Sequence, residues 1–392
     1  MKKHKDNAKD IMLPHSHAKV EFYKEYVKRY LRILCLSPNV NKIRMYDLFC
    51  GIGIYKDGGK GSPIEAYEAI CECLQEERFA KSGTQIFLTV NDIDSKKVES
   101  VKNHIDSLPS VANCKVNYYN EEFSNIVSIA RNEISSFEPN TRNLFFIDPY
   151  GYKEITGGML FDLLQNEKTE VILFLPVSFM YRFIKASLED DTEQYEALRH
   201  FTDSLFNRDQ KEDLHQVQSI DDYIALLKKV LTFGSEVYTT SYTIERDKAN
   251  TFCLFFMTKH IFGLQKIVEV MWELDELNGK GFRLPEPENL MTSLFEVQDK
   301  EKAKTENFER LKSLIVDEIS QHSCNNKTLY QFVLENGFLP KHANEVLKYL
   351  QNNDSKFYVY VAGTTTPARK NSFYLAWKED VKVEFGYKTQ KQ

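Results

Sequence analysis

Short apolar segments alternate with helical segments along residues 42–176, and this alternation constrains the fold more than any other feature of the sequence. The strand-like segments lie at 42–49, 85–90, 115–119, 143–147 and 171–176. The helical segments between them lie at 62–80, 95–108, 123–137 and 158–165. Strands that alternate with helices pair in parallel, so the pattern predicts a doubly wound α/β sheet. Ligands of such sheets bind at the carboxyl ends of the strands.

The first strand runs into a glycine-containing turn, Asp47-Leu48-Phe49-Cys50-Gly51-Ile52-Gly53. Gly51 and Gly53 let backbone amides approach a ligand where a Cβ atom would collide. The spacing differs from the G-x-G-x-x-G of dinucleotide-binding proteins and is closer to the S-adenosylmethionine (SAM) loop of Rossmann-like methyltransferases. It predicts SAM as the cofactor, with Asp47, Phe49 and both glycines among the binding residues. An ordinary structural turn is the alternative.

Polar residues follow the next two strands. Asp92 and Asp94 follow the second strand. We expect Asp92 to accept hydrogen bonds from ribose hydroxyls, and Asp94 to cap the helix that starts at Ser95. Asn120 follows the third strand, where it would either contact an adenine ring or lie in a solvated turn.

The fourth strand ends in Asp148-Pro149-Tyr150-Gly151, across the expected crevice from the glycine turn. We predict that Asp148, Pro149 and Tyr150 form the reacting end of the site. Asp148 would hydrogen-bond the acceptor group, and Tyr150 would stack on a planar substrate. Methyl transfer from a sulfonium needs alignment more than strong acid or base chemistry. A Pro-Gly turn with a core tyrosine is the alternative.

The rest of the chain predicts further elements and a second domain. Residues 179–233 are charged and helical, which indicates an insertion before the sixth strand. Residues 236–244 and 251–257 predict a hairpin that completes the sheet with an antiparallel edge. The expected organisation is an N-terminal leader and helix at 1–41, a Rossmann-like domain at 42–278, a linker at 279–305, a winged-helix domain at 306–380 and a tail at 381–392.

The C-terminal part reads as a helix, a helix-turn-helix and a β-hairpin, with the hairpin strands at 357–361 and 372–377. This order predicts a winged helix. Basic and polar side chains of its second helix and wing are the predicted nucleic-acid contacts: Lys341, Asn344, Lys348, Arg369 and Lys370. Winged helices also dock proteins, so protein contact is the alternative.

Composition limits the remaining classes of function. The net charge of −6 argues against a protein that binds polyanions over its whole surface, although it leaves room for a local basic patch. Seven cysteines occur without any C-x-x-C pair, so we expect neither a metal site nor a disulfide framework. No apolar run is long enough for a membrane span. We expect a reduced, cytoplasmic protein, and the oligomeric state stays open.

Several motifs together resemble the three-Cys-motif partner proteins. They are His17-Ala18-Lys19, the glycine turn, Gly59-Lys60-Gly61-Ser62-Pro63, Phe146-Ile147-Asp148-Pro149-Tyr150-Gly151 and the segment 252–274. The resemblance covers most of the first 280 residues. It implies a methyltransferase-like Rossmann domain with a terminal winged helix. It also implies a protein partner, a three-Cys-motif protein of radical-SAM type.

The glycine turn is also similar to the D-L-F-x-G-x-G of DNA cytosine-C5 methyltransferases. Those enzymes need a Pro-Cys nucleophile after the fourth strand, where this chain has Asp148-Pro149-Tyr150 without a cysteine. Amino-methyltransferases carry an (Asp/Asn)-Pro-Pro-aromatic motif there, and this chain departs from it at Tyr150-Gly151. The acceptor atom therefore stays open.

The sequence is consistent with three functions. The first is a SAM-dependent methyltransferase-like protein that acts on or at nucleic acid through the winged helix. The second is a non-catalytic DNA-binding adaptor for the three-Cys-motif protein. The third is a metal-dependent nuclease, which would require Asp92, Asp94 and Asp148 to converge on a metal ion.

Overall fold

The computed structural model describes residues 11–135, 138–189, 192–247, 249–283, 292–322 and 324–388, with the backbone alone for 292–299. Parts of the expected leader, linker and tail lie outside these residues. The chain divides into two compact units. The first lies within Met1–His260 and takes in Phe282–Leu284, and the second lies within Ile261–Gly281 and Pro285–Gln392. The change of unit at residue 260 comes earlier than the expected domain end at 278.

The first unit is built on a doubly wound sheet. In the described residues its strands lie in the order β3-β2-β1-β4-β5-β7-β6-β8. Their bounds are β1 Lys42–Asp47, β2 Gln85–Asn91, β3 Cys114–Tyr119, β4 Thr141–Ile147, β5 Thr169–Leu175, β6 Tyr238–Asp247, β7 Asn250–Thr258 and β8 Gly281–Phe282. β1 to β5 pair in parallel, and β7 pairs antiparallel with β5 and β6. The Rossmann-like sheet with its antiparallel edge hairpin is therefore confirmed.

Helices connect these strands. Their bounds are α1 Pro14–Leu34, α2 Ser62–Gln75, α3 Glu77–Ala80, α4 Ser95–Ser107, α5 Phe123–Ser135, α6 Gly157–Gln165, α7 Val177–Glu189, α8 Glu196–Leu205, α9 Arg208–Gln216 and α10 Ile220–Val230. The chain between β5 and β6 is helical in its described part, as expected. Asn207 and Ser219 start α9 and α10 with reciprocal capping hydrogen bonds.

Aromatic residues attach the first helix to the sheet. The Tyr23 ring of α1 stacks on Phe146 of β4 with centroids 4.2 Å apart, and the Tyr26 hydroxyl donates to Glu170 of β5 at 2.5 Å. Both tyrosines are fully buried. The contacts place α1 across the sheet as a packing helix, so its first turns lie near the carboxyl ends of the strands.

The second unit contains α11 Ile261–Leu274, α12 Thr292–Gln321, β9 Cys324–Asn325, α13 Asn326–Glu335, α14 Pro340–Asn353, β10 Phe357–Val361 and β11 Val383–Tyr387. In its described part the small sheet has the order β10-β11-β9. Helix, short strand, two helices and a strand pair form a winged helix, as predicted. The Trp272 indole of α11 donates to the Gly337 carbonyl at 2.8 Å, which joins α11 to the turn between α13 and α14.

The expected second wing strand at 372–377 is wrong. The partner of β10 is β11, which falls within the 381–392 tail that we expected to follow the domain. Tyr374 has φ +52°, and this left-handed backbone interrupts an extended strand. Instead, the buried Asn326 amide donates to the carbonyls of Tyr374 at 3.2 Å and Asp380 at 2.9 Å. These hydrogen bonds satisfy two backbone carbonyls of the segment without pairing it to another strand.

Candidate functional site

The glycine turn needs both of its glycines. Gly51 and Gly53 have φ +60° and +76°, in the left-handed region. A Cβ atom on Gly53 would lie 2.7 Å from Cγ2 of Val101 in α4, whereas one on Gly51 would meet open space. The Gly61 amide donates to the Gly53 carbonyl at 2.6 Å, so the turn is fastened to the start of α2. The turn is thus packed on the α4 side and open at Gly51.

We expect Gly53→Ala to destabilise the protein more than Gly51→Ala. Both substitutions force alanine into a left-handed conformation, at a cost of about 1–2 kcal/mol. Only the Gly53 substitution also drives a methyl group into Val101, which adds about 1–3 kcal/mol. Urea unfolding of the two variants measures the difference. Equal free energies of unfolding would contradict the packing argument.

Asp47, at the end of β1, is a fully buried carboxylate. Neither of its side-chain oxygens has a hydrogen-bond partner among the described residues. Burial raises the pKa of Asp47 to about 7. The Ser62 hydroxyl and the Phe49 amide lie close enough to favour ionisation in part, but neither is in hydrogen-bonding geometry with the carboxylate. A buried carboxylate without a partner carries a large desolvation cost, which a cationic ligand group would relieve.

Asp92, after β2, is buried and accepts several hydrogen bonds. Its Oδ2 accepts from the Gly51 amide at 3.2 Å and from the Tyr150 hydroxyl at 2.9 Å. Its Oδ1 accepts from the Asp94 amide at 3.0 Å and lies 3.4 Å from Lys97 Nζ. Asp92 therefore links the glycine turn, α4 and the loop after β4. Asp94 caps α4 by accepting from the Lys96 amide, as expected.

Two asparagines hold the loops at the edge of the sheet. Asn120 donates to the carbonyls of Asp92 and Ile93, each at 2.8 Å. Its amide nitrogen thus braces the loop after β2, and contact with an adenine stays a prediction. Asn91 donates to the Leu48 carbonyl at 3.2 Å and accepts from the Glu121 amide at 3.0 Å. Asn91 is absent from the predicted site residues, because a polar residue at a strand end has many uses.

Asp148, after β4, is paired with a lysine from the first helix. Lys19 Nζ of α1 donates to Asp148 Oδ2 and lies 4.7 Å from the centroid of the Phe174 ring. Both side chains of the ion pair are mostly buried. Lys19 was absent from the predicted site residues, although it stands in the His17-Ala18-Lys19 motif. It brings a positive charge to the predicted reacting end.

A cavity of about 270 Å³ lies between these strand ends. Its lining residues come from the ends of β1, β2, β3 and β4, and include Phe49, Asn91, Glu121, Pro149 and Tyr150. The Phe49 ring stacks on Phe123 at 4.8 Å and meets the Tyr150 ring edge-on at 6.3 Å. Of the predicted site residues, Phe49, Pro149 and Tyr150 line this cavity, whereas the carboxylates Asp47, Asp92 and Asp148 are not part of its lining. Cys50 is buried, and burial raises the pKa of its thiol. A raised pKa disfavours the reactive thiolate, so Cys50 acts in packing.

The described residues were also compared with the requirements of a metal site and of a membrane-spanning helix. Among the described residues, no group of three His, Cys, Asp or Glu side chains is arranged to hold a metal ion. Asp94 caps a helix and Asp148 pairs with Lys19, so these two carboxylates have other partners. In the same part of the chain, no helix is long and apolar enough to cross a membrane.

The predicted nucleic-acid residues lie on α14 and on the wing that follows β10. Lys348, Arg369 and Lys370 are exposed. The Asn371 amide of the wing donates to Oε1 of Gln351 at 2.9 Å, which ties the wing to the C-terminal half of α14. Asn344, Lys348 and Gln351 follow helical spacing and share that side of α14.

Lys341 is also exposed and lies two helical turns before Lys348. With His342, Glu345 and Trp272 it lines a cleft of about 880 Å³ beside α11 and α12. Contact of these five predicted residues with nucleic acid stays a prediction.

The sequence comparisons identify one domain. Residues 283–355 match the family model of the GMT-like wHTH domain. The chain thus carries a winged helix-turn-helix domain in its C-terminal part. No curated protein sequence matches the chain.

Two solved structures match the chain at low sequence identity. A putative O-methyltransferase from Klebsiella pneumoniae is 12% identical, with 60% of this chain and 79% of that chain covered and a TM-score of 0.27. Trm1 from Pyrococcus horikoshii, in complex with S-adenosyl-L-methionine, is 10% identical, with 94% and 90% covered and a TM-score of 0.33. At these values no activity transfers to this chain.

Proposed function

We propose that this chain binds SAM at the carboxyl edge of the sheet and acts as a methyltransferase-like protein on or at nucleic acid. The observation that carries the proposal is Asp47, whose buried carboxylate has no partner beside an open glycine turn. The ammonium group of SAM is a cation of the kind that such a carboxylate lacks. The match of the C-terminal part to a winged helix-turn-helix domain supports the nucleic-acid half.

The residues present fit the parts of SAM. Asp47 would face the ammonium group, and the turn at Gly51 and Gly53 would admit the chain of the amino acid. Asp92 would accept from the ribose, and the cavity walled by Phe49 would take the adenine, beside the loop that Asn120 braces. When bound, SAM supplies an electrophilic methyl group on a sulfonium.

The chain's own residues would orient the acceptor. Asp148 would accept a hydrogen bond from it, while Lys19 holds the carboxylate in place and compensates its charge. Pro149 and Tyr150 follow Asp148 directly, and the exposed Tyr150 ring would provide a flat surface for the acceptor base. Because methyl transfer from a sulfonium depends mainly on alignment, no group with a strongly shifted pKa is needed.

We expect Asp148→Asn to lower methyl transfer by at least about 10²-fold while leaving SAM affinity within about threefold, because Asp148 contacts the acceptor rather than the cofactor. The assay follows tritium from methyl-labelled SAM into cellular RNA and into DNA. A matched variant, Asp162→Asn on α6, removes an exposed carboxylate and should leave transfer unchanged. Transfer that is unaffected by Asp148→Asn would remove Asp148 from the reacting end.

A non-catalytic adaptor is the second candidate. Two observations favour it. The ammonium group of Lys19 already pairs with the Asp148 carboxylate, and the Tyr150 hydroxyl already donates to the Asp92 carboxylate. The motif resemblance to the three-Cys-motif partner proteins supports a radical-SAM-type three-Cys-motif protein as the partner. SAM binding without transfer to any nucleic acid, together with a biological role that survives Asp148→Asn, would favour the adaptor over the enzyme.

A further inference from the structure

The Tyr150 hydroxyl donates a hydrogen bond to Asp92, the carboxylate that the proposed function assigns to the ribose. A carboxylate has about four positions for hydrogen-bond donors. In Asp92 these are taken by the amides of Gly51 and Asp94, by Lys97 Nζ and by the Tyr150 hydroxyl. The two amides belong to the framework of the turns, so the hydroxyl of Tyr150 is the donor that a ribose hydroxyl would replace.

We propose that Tyr150 is a latch that closes the ribose position in the ligand-free protein and must swing out before SAM binds. The inference rests on the proposed function, because it assigns Asp92 to the ribose. The phenol hydroxyl donates to Asp92 Oδ2 as a ribose hydroxyl would. Ligand and latch therefore compete for one acceptor.

The surroundings of Tyr150 suit a moving side chain. Tyr150 is 70% exposed, in contrast to Asp92, which is 1% exposed. Its ring touches Phe49 only edge-on, at a centroid distance of 6.3 Å. Gly151 follows directly, and a Cβ atom there would meet nothing within 4 Å. The hydrogen bond to Asp92 and the contacts with Lys97 thus hold a side chain that has little packing to lose.

The latch also positions a cation. Lys97 Nζ donates to the Tyr150 hydroxyl and lies 4.2 Å from the centroid of its ring. When Tyr150 leaves, Lys97 stays within 3.4 Å of Asp92 and keeps the charge of that carboxylate compensated. Opening therefore exposes an acceptor without leaving a bare buried charge.

The test is calorimetric titration of S-adenosylhomocysteine into the full chain and its Tyr150→Phe variant. The variant keeps the ring and removes the competing hydroxyl, so we expect roughly tenfold tighter binding. Tyr152→Phe is the matched control, because the Tyr152 ring packs against Phe201 outside the cavity lining. Its affinity should equal that of the unchanged protein. Thermal melts without ligand check that all three proteins are folded.

The outcomes separate the latch from the proposed function. Tighter binding by Tyr150→Phe alone supports the latch. Binding by the unchanged protein with equal or weaker affinity in Tyr150→Phe overturns the latch and leaves the proposed function standing. Absence of binding in all three folded proteins overturns the proposed function and the latch with it.

Discussion

Asp47→Asn is expected to abolish SAM binding while raising the stability of the ligand-free protein. The Asp47 carboxylate is buried without a partner, so ionising it costs free energy in the folded state. Its pKa, raised from 3.8 to about 7, corresponds to a cost of up to about 4 kcal/mol at neutral pH. The isosteric amide removes this charge. It also removes the group proposed to face the ammonium of SAM, so we expect affinity to fall by roughly 10²-fold or more.

The pH dependence of the unfolding free energy should reveal the titration of Asp47. A carboxyl group whose folded pKa lies above its unfolded pKa stabilises the fold at low pH, where it is protonated in both states. That contribution is lost as the pH rises from about 4 to about 7. The difference in unfolding free energy between Asp47→Asn and the unchanged protein should therefore grow across this window and level off above it.

Glu170→Gln provides a matched control for this prediction. Glu170 is another buried carboxylate whose pKa burial raises to about 7, but it lies at the start of β5, at the opposite edge of the sheet. Its substitution should change stability in the same pH window and leave SAM affinity unchanged. Asp47→Asn that still binds SAM with unchanged affinity would contradict the assignment of Asp47.

Replacing Lys348, Arg369 and Lys370 together by alanine is expected to weaken duplex binding by roughly 10²–10³-fold at moderate salt. These exposed side chains lie on the wing and the adjoining side of α14. If each contacts a phosphate, the triple change should also flatten the logarithmic salt dependence by about 2–3. Fluorescence anisotropy with a labelled duplex at several salt concentrations measures both quantities.

A matched triple change separates a specific surface from net charge. Lys300, Lys302 and Lys304 on α12 carry the same total charge, and replacing them by alanine should alter binding by less than about tenfold. Equal losses in the two triple variants would indicate non-specific attraction. No loss in the first variant would favour protein docking by the winged helix.

Much of the fold follows from local pattern. The strands β1, β2, β4 and β5 are mostly buried, so their apolar runs could be located within about two residues. The polar residues at their ends then had to meet at one edge. The glycine turn was recognisable because Gly51 and Gly53 both adopt left-handed backbone there.

What was missed depends on contacts between distant residues. Tyr150 and Asp92 are 58 positions apart, and Lys19 and Asp148 are 129 apart, so no local pattern records either pairing. The second wing strand was misplaced because the alternation of Phe373 and Leu375 imitates a strand, while the burial there comes from loop packing around Asn326.

Titration of SAM into the full, folded chain tests the central claim most directly. We expect saturable binding with one site per chain, because the open turn at Gly51 and the unpartnered Asp47 together form one position for a cationic ligand group. The same titration with Asp47→Asn should show no saturable heat. Absence of binding by the unchanged protein at millimolar SAM would contradict the account.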